Sequence, residues 1–442
     1  MVQLIIAMDK MGGIGFKNRL PWECKEELAI FLKKTMGKTL VMGSKTALAI
    51  PILKGRTIIC MSRKIKGCGI QPNGFISSFD EMKSDDYIIA GGAQIYKLAL
   101  ETPDLVETVH LSVMKKNYCC DTRVNDRLFK DFVITKTQEY EDFTHYVMKK
   151  TDSGERQYLN LLENIMMNGK ERVGRNGTTI SIFKSDMMFD LRNGFPLLTT
   201  KKMFLRGILE EFLFFLRGDT NSTYLSDKKV RIWEGNTTKE FIASRGLPYA
   251  KGVLGPMYGY QWRFYNAPYQ IDDNGRPISP EGGVDQLANV VNLIKTDPKS
   301  RRILLTAYNP SQAEEGVLYP CHSITVQFYV DEEYLDMFCY NRSQDAGLGI
   351  PFNISSSALL LMTVSQLTGK TSRFFHMTMG DTHIYKEHVG KLSEQWQRQP
   401  YKFPTLVMPN IKSLADINNL SVKDFKLEGY KSHPSIKMQM VA

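Results

Sequence analysis

Residues 87–96 read YIIAGGAQIY. Tyr87–Ala90 is a short apolar run of strand character, two glycines end it, and an alternation of apolar and polar residues from Ala93 begins a helix. Glycines between a strand and a helix N-terminus let backbone N–H groups approach an anion closely. Alone, the pair reads more readily as a plain strand-to-helix turn, because glycine punctuates turns everywhere. The same grammar recurs upstream, at Gly43-Ser44-Lys45-Thr46 after Thr39–Met42 and at Ser62-Arg63-Lys64 after Thr57–Met61. Three strand ends carrying glycines, hydroxyls and bases make the phosphate reading hard to dismiss.

Working outward, residues 2–8 (VQLIIAM) read as a strand, followed by a glycine-punctuated loop that ends at Pro21-Trp22. Glu26 to Lys34 has helical spacing. The first 110 residues are therefore read as α/β, with the strand-rich stretch 109–148 adding antiparallel edge strands. The polar stretch KKTDSGERQ (149–157) places a boundary that gives domains 1–151 and 152–442. Beyond it, helices are expected at Tyr158–Met167, Gly207–Leu216 and Ala358–Leu367. Ser323–Val330 and Tyr334–Tyr340 are β-runs split by Asp331-Glu332-Glu333, a hairpin pattern. The second half is α+β.

A length of 442 residues suits two cores. The 43% hydrophobic, 24% charged and 11% aromatic fractions describe folded, soluble material. The N-terminus lacks a signal-peptide pattern and every apolar run reads as too short for a bilayer, which predicts a cytoplasmic protein without membrane contact. Seven cysteines show neither C-x-x-C pairs nor zinc-like histidine spacing, so no metal is expected and the thiols read as reduced. The net charge of +10 suits anionic small molecules. With no arginine-rich arm or lysine run, it argues against nucleic acid.

The segments MVQLIIAMDKMGGIG (1–15), NRLPWECKEELAIF (18–31), VMGSKT (41–46), LKGRTIICMSR (53–63) and IIAGGAQIY (88–96) together resemble dihydrofolate reductase in order and spacing. The resemblance implies an eight-stranded, mostly parallel sheet flanked by helices, with the loop 11–22 closing over a nicotinamide. It assigns Glu27 as the carboxylate that binds the pterin and favours its protonation, with Phe31, Arg56 and Ser112 also on the folate side. Ser112 stands where threonine is frequent. It further implies NADPH as cofactor, held by Ala7, Gly15, Lys45, Thr46, Ser62, Arg63, Gly91 and Gly92.

In the second half, Tyr319-Pro320-Cys321-His322-Ser323 sets a cysteine just before a β-run, where a strand end can present it to a cleft. A buried inert thiol is the ordinary reading of such a residue. Arginine changes it: Arg172, Arg301, Arg302 and Arg342 offer charge that would lower a thiol pKa and cage a phosphate dianion.

ERVGRNGTTISIF (171–183), GFPLLTTKK (194–202), EEFLFFLRGDTN (210–221), IWEGN (232–236), LGPMYGYQWR (254–263), SRRILLTAYNP (300–310), LYPCHS (318–323), NRSQDAGLGIPFNISS (341–356) and GDTHIY (380–385) resemble thymidylate synthase. That resemblance implies a bifunctional chain. The synthase would make dTMP from dUMP with 5,10-methylenetetrahydrofolate, and the reductase would return the dihydrofolate product to tetrahydrofolate. Cys321 is then the nucleophile, with Glu211, Tyr258, Arg342 and Asn353 also catalytic. The dUMP contacts are Arg172, Arg342, Ser343, Asn353, His383 and Tyr385, joined by Arg301 and Arg302 from the second subunit of a homodimer formed through the synthase domain. Trp233, Asn236 and Asp345 match folate contacts.

The chain departs from the usual synthase pattern in a longer loop after Arg172, in Asn341, in Ser357 and at Ala442. Two other readings are a pyrimidine nucleotide hydroxymethylase on the same scaffold and a catalytically silent nucleic-acid-binding relative. Asn353 opposes a cytosine base, and the joint presence of Glu27, Cys321, Arg342 and Asn353 opposes a silent role.

Overall fold

The computed structural model describes residues 2–62, 73–82, 86–102, 105–129, 131–150, 154–174 and 176–439. Arg63, Arg175 in the loop after Arg172, Ala442 and residues 151–153 lie outside them. The chain divides into two compact units, Met1–Arg156 with Gln399–Lys402, and Gln157–Arg398 with Phe403–Ala442.

In the first unit the chain runs through β1 (Val2–Asp9), β2 (Gly13–Gly15), α1 (Lys25–Thr35), β3 (Thr39–Gly43), α2 (Ser44–Ala49), β4 (Thr57–Met61), β5 (Gly74–Ile76), β6 (Tyr87–Ile89) and α3 (Ala93–Glu101). It continues with β7 (Val106–Met114), β8 (Thr122–Arg123), β9 (Phe132–Glu139) and β10 (Phe143–Lys150). Eight of these strands form one sheet in the order β5-β4-β3-β6-β1-β7-β10-β9. Every pairing from β5 to β7 is parallel, and those of β10 with β7 and β9 are antiparallel.

The stretch 109–148 supplies the expected antiparallel edge as β10 and β9, while β7, in the same stretch, pairs with β1 in parallel. Its chain arrives from β6 through the crossover helix α3, which delivers a parallel strand, whereas only three residues join β9 to β10. Helix α1 carries Glu26 and Glu27 in its first turn and Lys33 and Lys34 in its last, the charge order its dipole favours.

Helix α4 (Gly154–Asn168) leads into the second unit, followed by β11 (Lys170–Gly174), β12 (Gly177–Asp190), α5 (Leu205–Arg217), α6 (Thr223–Asp227), α7 (Lys239–Ser244), α8 (Gly259–Phe264) and α9 (Gln286–Thr296). It continues with β13 (Leu304–Thr306), β14 (Thr325–Asp331), β15 (Tyr334–Asp345), α10 (Gly349–Thr368), β16 (Thr371–Tyr385) and α11 (Val389–Trp396). A six-stranded sheet runs β11-β12-β16-β15-β14-β13. Helix α10 packs against α5 and α9 and also lies against β15 and β16. The hairpin of β14 and β15 turns at Glu332-Glu333 as its acidic break predicts.

Helix α10 starts nine residues before the expected Ala358. Pro351 falls in its first turn, where no N–H is needed, and Asp345 accepts the amides of Gly347 (2.7 Å) and Leu348 (3.2 Å) just ahead of it. It is apolar nearly all round, so no stripe announces it. Length and hydropathy would let it cross a bilayer, which amends the expectation that every apolar run is too short. Its most apolar window is 78% buried inside the unit, as a core helix is.

The face of the six-stranded sheet away from these helices is exposed and partly apolar. Cross-strand register lines up Leu304, Gln327, Phe338, His376 and Met188 in one row across five strands. Leu304, Phe338 and Met188 are exposed, and so are Phe183 (82%) and Tyr329 (66%).

Candidate functional site

Each unit gathers one constellation. In the first, the parallel strands end at a common edge, and α1 presents Glu27 over β7. Glu27 is 6% exposed while Glu26 is exposed, as the sequence reading expected. Burial pushes its carboxyl above the usual range, and a hydrogen bond from Ser112 pulls the other way. Ser112 stands opposite Ala7 of β1 and His145 of β10 in the sheet register. Phe31 packs with Ile5, Leu40 and Met42, with Ala47, Ile50 and Leu53 in the same cluster. The Arg56 guanidinium is moored to Thr35 Oγ1 (3.1 Å), Leu32 O (2.9 Å) and Lys54 O (2.8 Å). That mooring fixes the fork at the C-terminal end of α1. Trp22, which the sequence reading used only as a spacing mark, is 7% exposed and clusters with Met114 and Phe143.

The cofactor side has a cradle that only glycine fits. Gly91 has φ +154 and Gly92 φ +86, and a Cβ at Gly91 would meet Thr46 Cγ2 at 2.7 Å. The Gly91 carbonyl accepts the Gly43 amide (3.1 Å), tying the ends of β3 and β6 together. Lys45 and Thr46 lie in α2, directly after β3. Ser62 follows β4, and its amide donates to Ile76 O (3.0 Å). Gly15 pairs with Thr122 in the small two-stranded sheet of β2 and β8. Strand ends, backbone N–H groups and a hydroxyl-lined gap fit a pyrophosphate-bearing cofactor.

In the second unit, Cys321 is half-buried ahead of β14. The Tyr258 hydroxyl lies 3.4 Å from its sulfur and accepts the Cys321 amide at 3.1 Å. With that lone pair engaged, the phenol proton is free to point at sulfur. Tyr258 holds φ +46, ψ −107, a strained backbone for an aromatic residue, kept by complete burial and by stacking on His322 at 4.4 Å. Burial pushes the Cys321 thiol up, while Tyr258 and Arg342 pull it down. Arginine alone was expected to lower this pKa; burial outweighs it. Arg342 donates to Pro320 O (2.7 Å) and Tyr319 O (2.9 Å), clamping the segment that carries the cysteine.

Glu211 projects from α5 into the same cleft. Burial raises its pKa to about 7, against the Trp233 indole N–H that donates to it at 2.9 Å. Asn236 is buried in the turn after Trp233. Asn353 Nδ2 donates to Gln344 Oε1 (2.8 Å), which fixes the orientation of its amide. Asp345, expected against folate, accepts the amides of Gly347 and Leu348 in the turn ahead of α10.

The register aligns Asp345, His383 and Ser181 in one row and Tyr385 with Thr179 and Arg172 in the next but one. Ser343 pairs with Asp381. Asp381 accepts from or pairs with His383 Nδ1 (2.8 Å) and meets Arg172 Nη1 (3.5 Å). Arg301 and Arg302 lead into β13, the sheet edge opposite β11, and both are exposed. Five strand spacings make that separation about 24 Å, so they stand apart from Arg172 within one chain.

Sequence reasoning missed Gln344, Asp381 and His322. All three sit inside quoted motifs, beside residues that drew the assignment.

A half-buried thiol, a phenol that can steer its proton and a carboxyl poised near neutrality define a nucleophilic transferase site in the second unit, and the first unit has a nucleotide-cofactor fold of its own. Residues 156–442 match the thymidylate synthase family and residues 1–151 the dihydrofolate reductase family. The bifunctional dihydrofolate reductase-thymidylate synthase of Paramecium tetraurelia is 39% identical over 99% of this chain and 98% of its own length. Its Zea mays namesake is 34% identical over 99% and 96%. Thymidylate synthase 1/2 of Encephalitozoon cuniculi is 45% identical over 65% of this chain and 97% of its own. The chain belongs to the bifunctional dihydrofolate reductase–thymidylate synthase family, and it is an enzyme.

Proposed function

We propose that the chain runs two consecutive steps, reductive methylation of dUMP to dTMP in residues 152–442 and NADPH-dependent reduction of the released dihydrofolate in residues 1–151. The observation that carries the reading is the Tyr258 hydroxyl shared between the Cys321 amide and sulfur.

Cys321 Sγ adds to C6 of dUMP, forming a C–S bond and moving the C5–C6 π electrons toward C5 and O4. Covalent addition is required because C5 of uracil is otherwise a poor nucleophile. Arg172, Arg342 and Ser343 hold the phosphate, Asn353 reads the uracil edge with Gln344 fixing its amide, and His383 and Tyr385 meet the ribose. Glu211 moves a proton near O4, and Tyr258 lies where the C5 proton must leave. The cosubstrate 5,10-methylenetetrahydrofolate supplies the one-carbon unit and the hydride, against Trp233, Asn236 and Asp345. Elimination of Cys321 then returns the thiol.

In the reductase, NADPH supplies the hydride. Ala7, Gly15, Lys45, Thr46, Ser62, Gly91 and Gly92 hold it, with Arg63 favouring the 2′-phosphate. Glu27 binds the pterin and favours protonation at N5, while Phe31 packs the ring and Arg56 takes the carboxylate of the glutamyl tail.

The synthase works as a homodimer, cytoplasmic and without nucleic acid. The exposed row from Leu304 to Met188 offers the face for a second copy, and the remoteness of Arg301 and Arg302 from Arg172 supports their service in the partner's site.

Product analysis tests this directly. With dUMP and methylenetetrahydrofolate the chain is expected to release dTMP and dihydrofolate in equal amounts. Hydroxymethylated nucleotide with tetrahydrofolate would instead establish the hydroxymethylase, and salt-sensitive RNA binding without turnover the silent relative.

A further inference from the structure

Behind Glu27 lies a second layer of buried polar groups, two of them histidines that the proposed chemistry leaves unused. His110, Ser112 and His145 are 4%, 2% and 6% exposed. His145 Nδ1 is 3.1 Å from Ser112 Oγ, and Ser112 bonds Glu27. The His110 and His145 rings stack 5.9 Å apart at 8°, and His110 Nε2 is 3.0 Å from Gln3 Oε1.

Which way these bonds run follows from proton counting. A serine hydroxyl has one proton, and an ionised Glu27 only accepts. If Ser112 donates to Glu27, it must accept from His145, which requires the proton on Nδ1. His145 Nε2 has no hydrogen-bond partner among the described residues. A bare buried ring nitrogen is cheaper than a bare buried N–H, so the same tautomer is favoured from the other side of the ring. His110 follows the same rule: Nε2–H to Gln3 leaves Nδ1 bare, as found.

The charged and titratable groups around His145 are Glu27 and Lys34 from α1, His110 from β7 and Lys136 from β9. Burial first, then Lys34 and Lys136, holds its pKa at about 4, so the ring is neutral at working pH. A neutral ring has one proton to place.

We propose that His145 is a positioning residue of the reductase, whose Nδ1–H donates to Ser112 and thereby commits the Ser112 hydroxyl proton to the Glu27 carboxylate. The proposal rests on the reading of Glu27 as the reductase carboxylate. A donor aimed at a carboxylate favours its charged form. His145 thus opposes the upward push of burial on Glu27 from two residues away.

The unmodified full-length chain supplies the first test. With 15N-labelled histidine, NMR is expected to find His145 protonated at Nδ1 and bare at Nε2; an Nε2–H tautomer overturns the proposal. The second test is the pH profile of kcat/KM for dihydrofolate reduction. His145→Leu is expected to move its midpoint up by about half a unit, and His145→Asn, whose amide N–H falls near the Nδ1 position, to restore it. In a Ser112→Ala background His145→Leu is expected to shift nothing further, and an equal shift there overturns the relay. Glu27→Gln separates the two failures: retained reduction would sink the Glu27 reading, whatever the His145 tautomer.

Discussion

The Tyr258 hydroxyl accepts the backbone N–H of Cys321 at 3.1 Å and stands 3.4 Å from the same residue's sulfur. The amide bond fixes which way the phenol proton points, so Tyr258 steadies the thiolate. Tyr258→Phe is expected to slow dTMP formation by ~10²-fold or more. It should also raise the thiol pKa, read as slower alkylation of Cys321 at fixed pH. Unchanged alkylation would contradict the role.

Glu211 carries a stability signature. Its pKa rises to about 7 through burial, above its unfolded value near the ordinary 4.5. The folded state therefore holds the proton more tightly, and stability falls as pH rises from about 4.5 through about 7, then levels. Glu211→Gln is expected to gain more stability at pH 8 than at pH 5 in denaturant melts, while dTMP formation falls ~10²-fold or more. Equal gains at both pH values would contradict the perturbed carboxyl.

Gly91→Ala probes the cofactor cradle. Its Cβ would lie 2.7 Å from Thr46 Cγ2 on a positive-φ backbone. The KM for NADPH is expected to rise at least about tenfold, roughly 1.4 kcal/mol, with dTMP formation unaffected. A normal KM would place the pyrophosphate elsewhere.

The shared synthase site predicts complementation. Cys321→Ser and an Arg301→Ala/Arg302→Ala double variant are each expected to be inactive as dTMP producers. Refolded together at equal amounts, half the dimers are mixed and each holds one intact site, so about a quarter of the sites recover. No recovery would mean the arginines serve their own chain.

Legibility in the sequence followed periodicity. Strands β1, β3, β4 and β6 and helices α1 and α3 could be read because apolar runs end in glycines or polar breaks. Helix α10 was read only from Ala358, since Gly349 and Pro351 imitate a loop and its all-round apolarity gives no stripe. The direction of β7 lay in its crossover, which no local pattern encodes.

Among site residues, Cys321, Glu27 and Asn353 stood out through motifs. Gln344 and Asp381 act by holding Asn353, His383 and Arg172, contacts visible only once β15 and β16 are in register. His145 had no sequence signal, because its importance comes from pairing opposite Ser112 on a neighbouring strand.

The most direct test of two sites in one chain follows NADPH when dUMP, methylenetetrahydrofolate and NADPH are supplied together. Wild type is expected to oxidise one NADPH per dTMP formed. Cys321→Ser is expected to oxidise none until dihydrofolate is added and then to proceed at the wild-type rate, while Glu27→Gln makes dTMP and accumulates dihydrofolate. Loss of both activities from either substitution, in a chain that remains folded, would contradict the account.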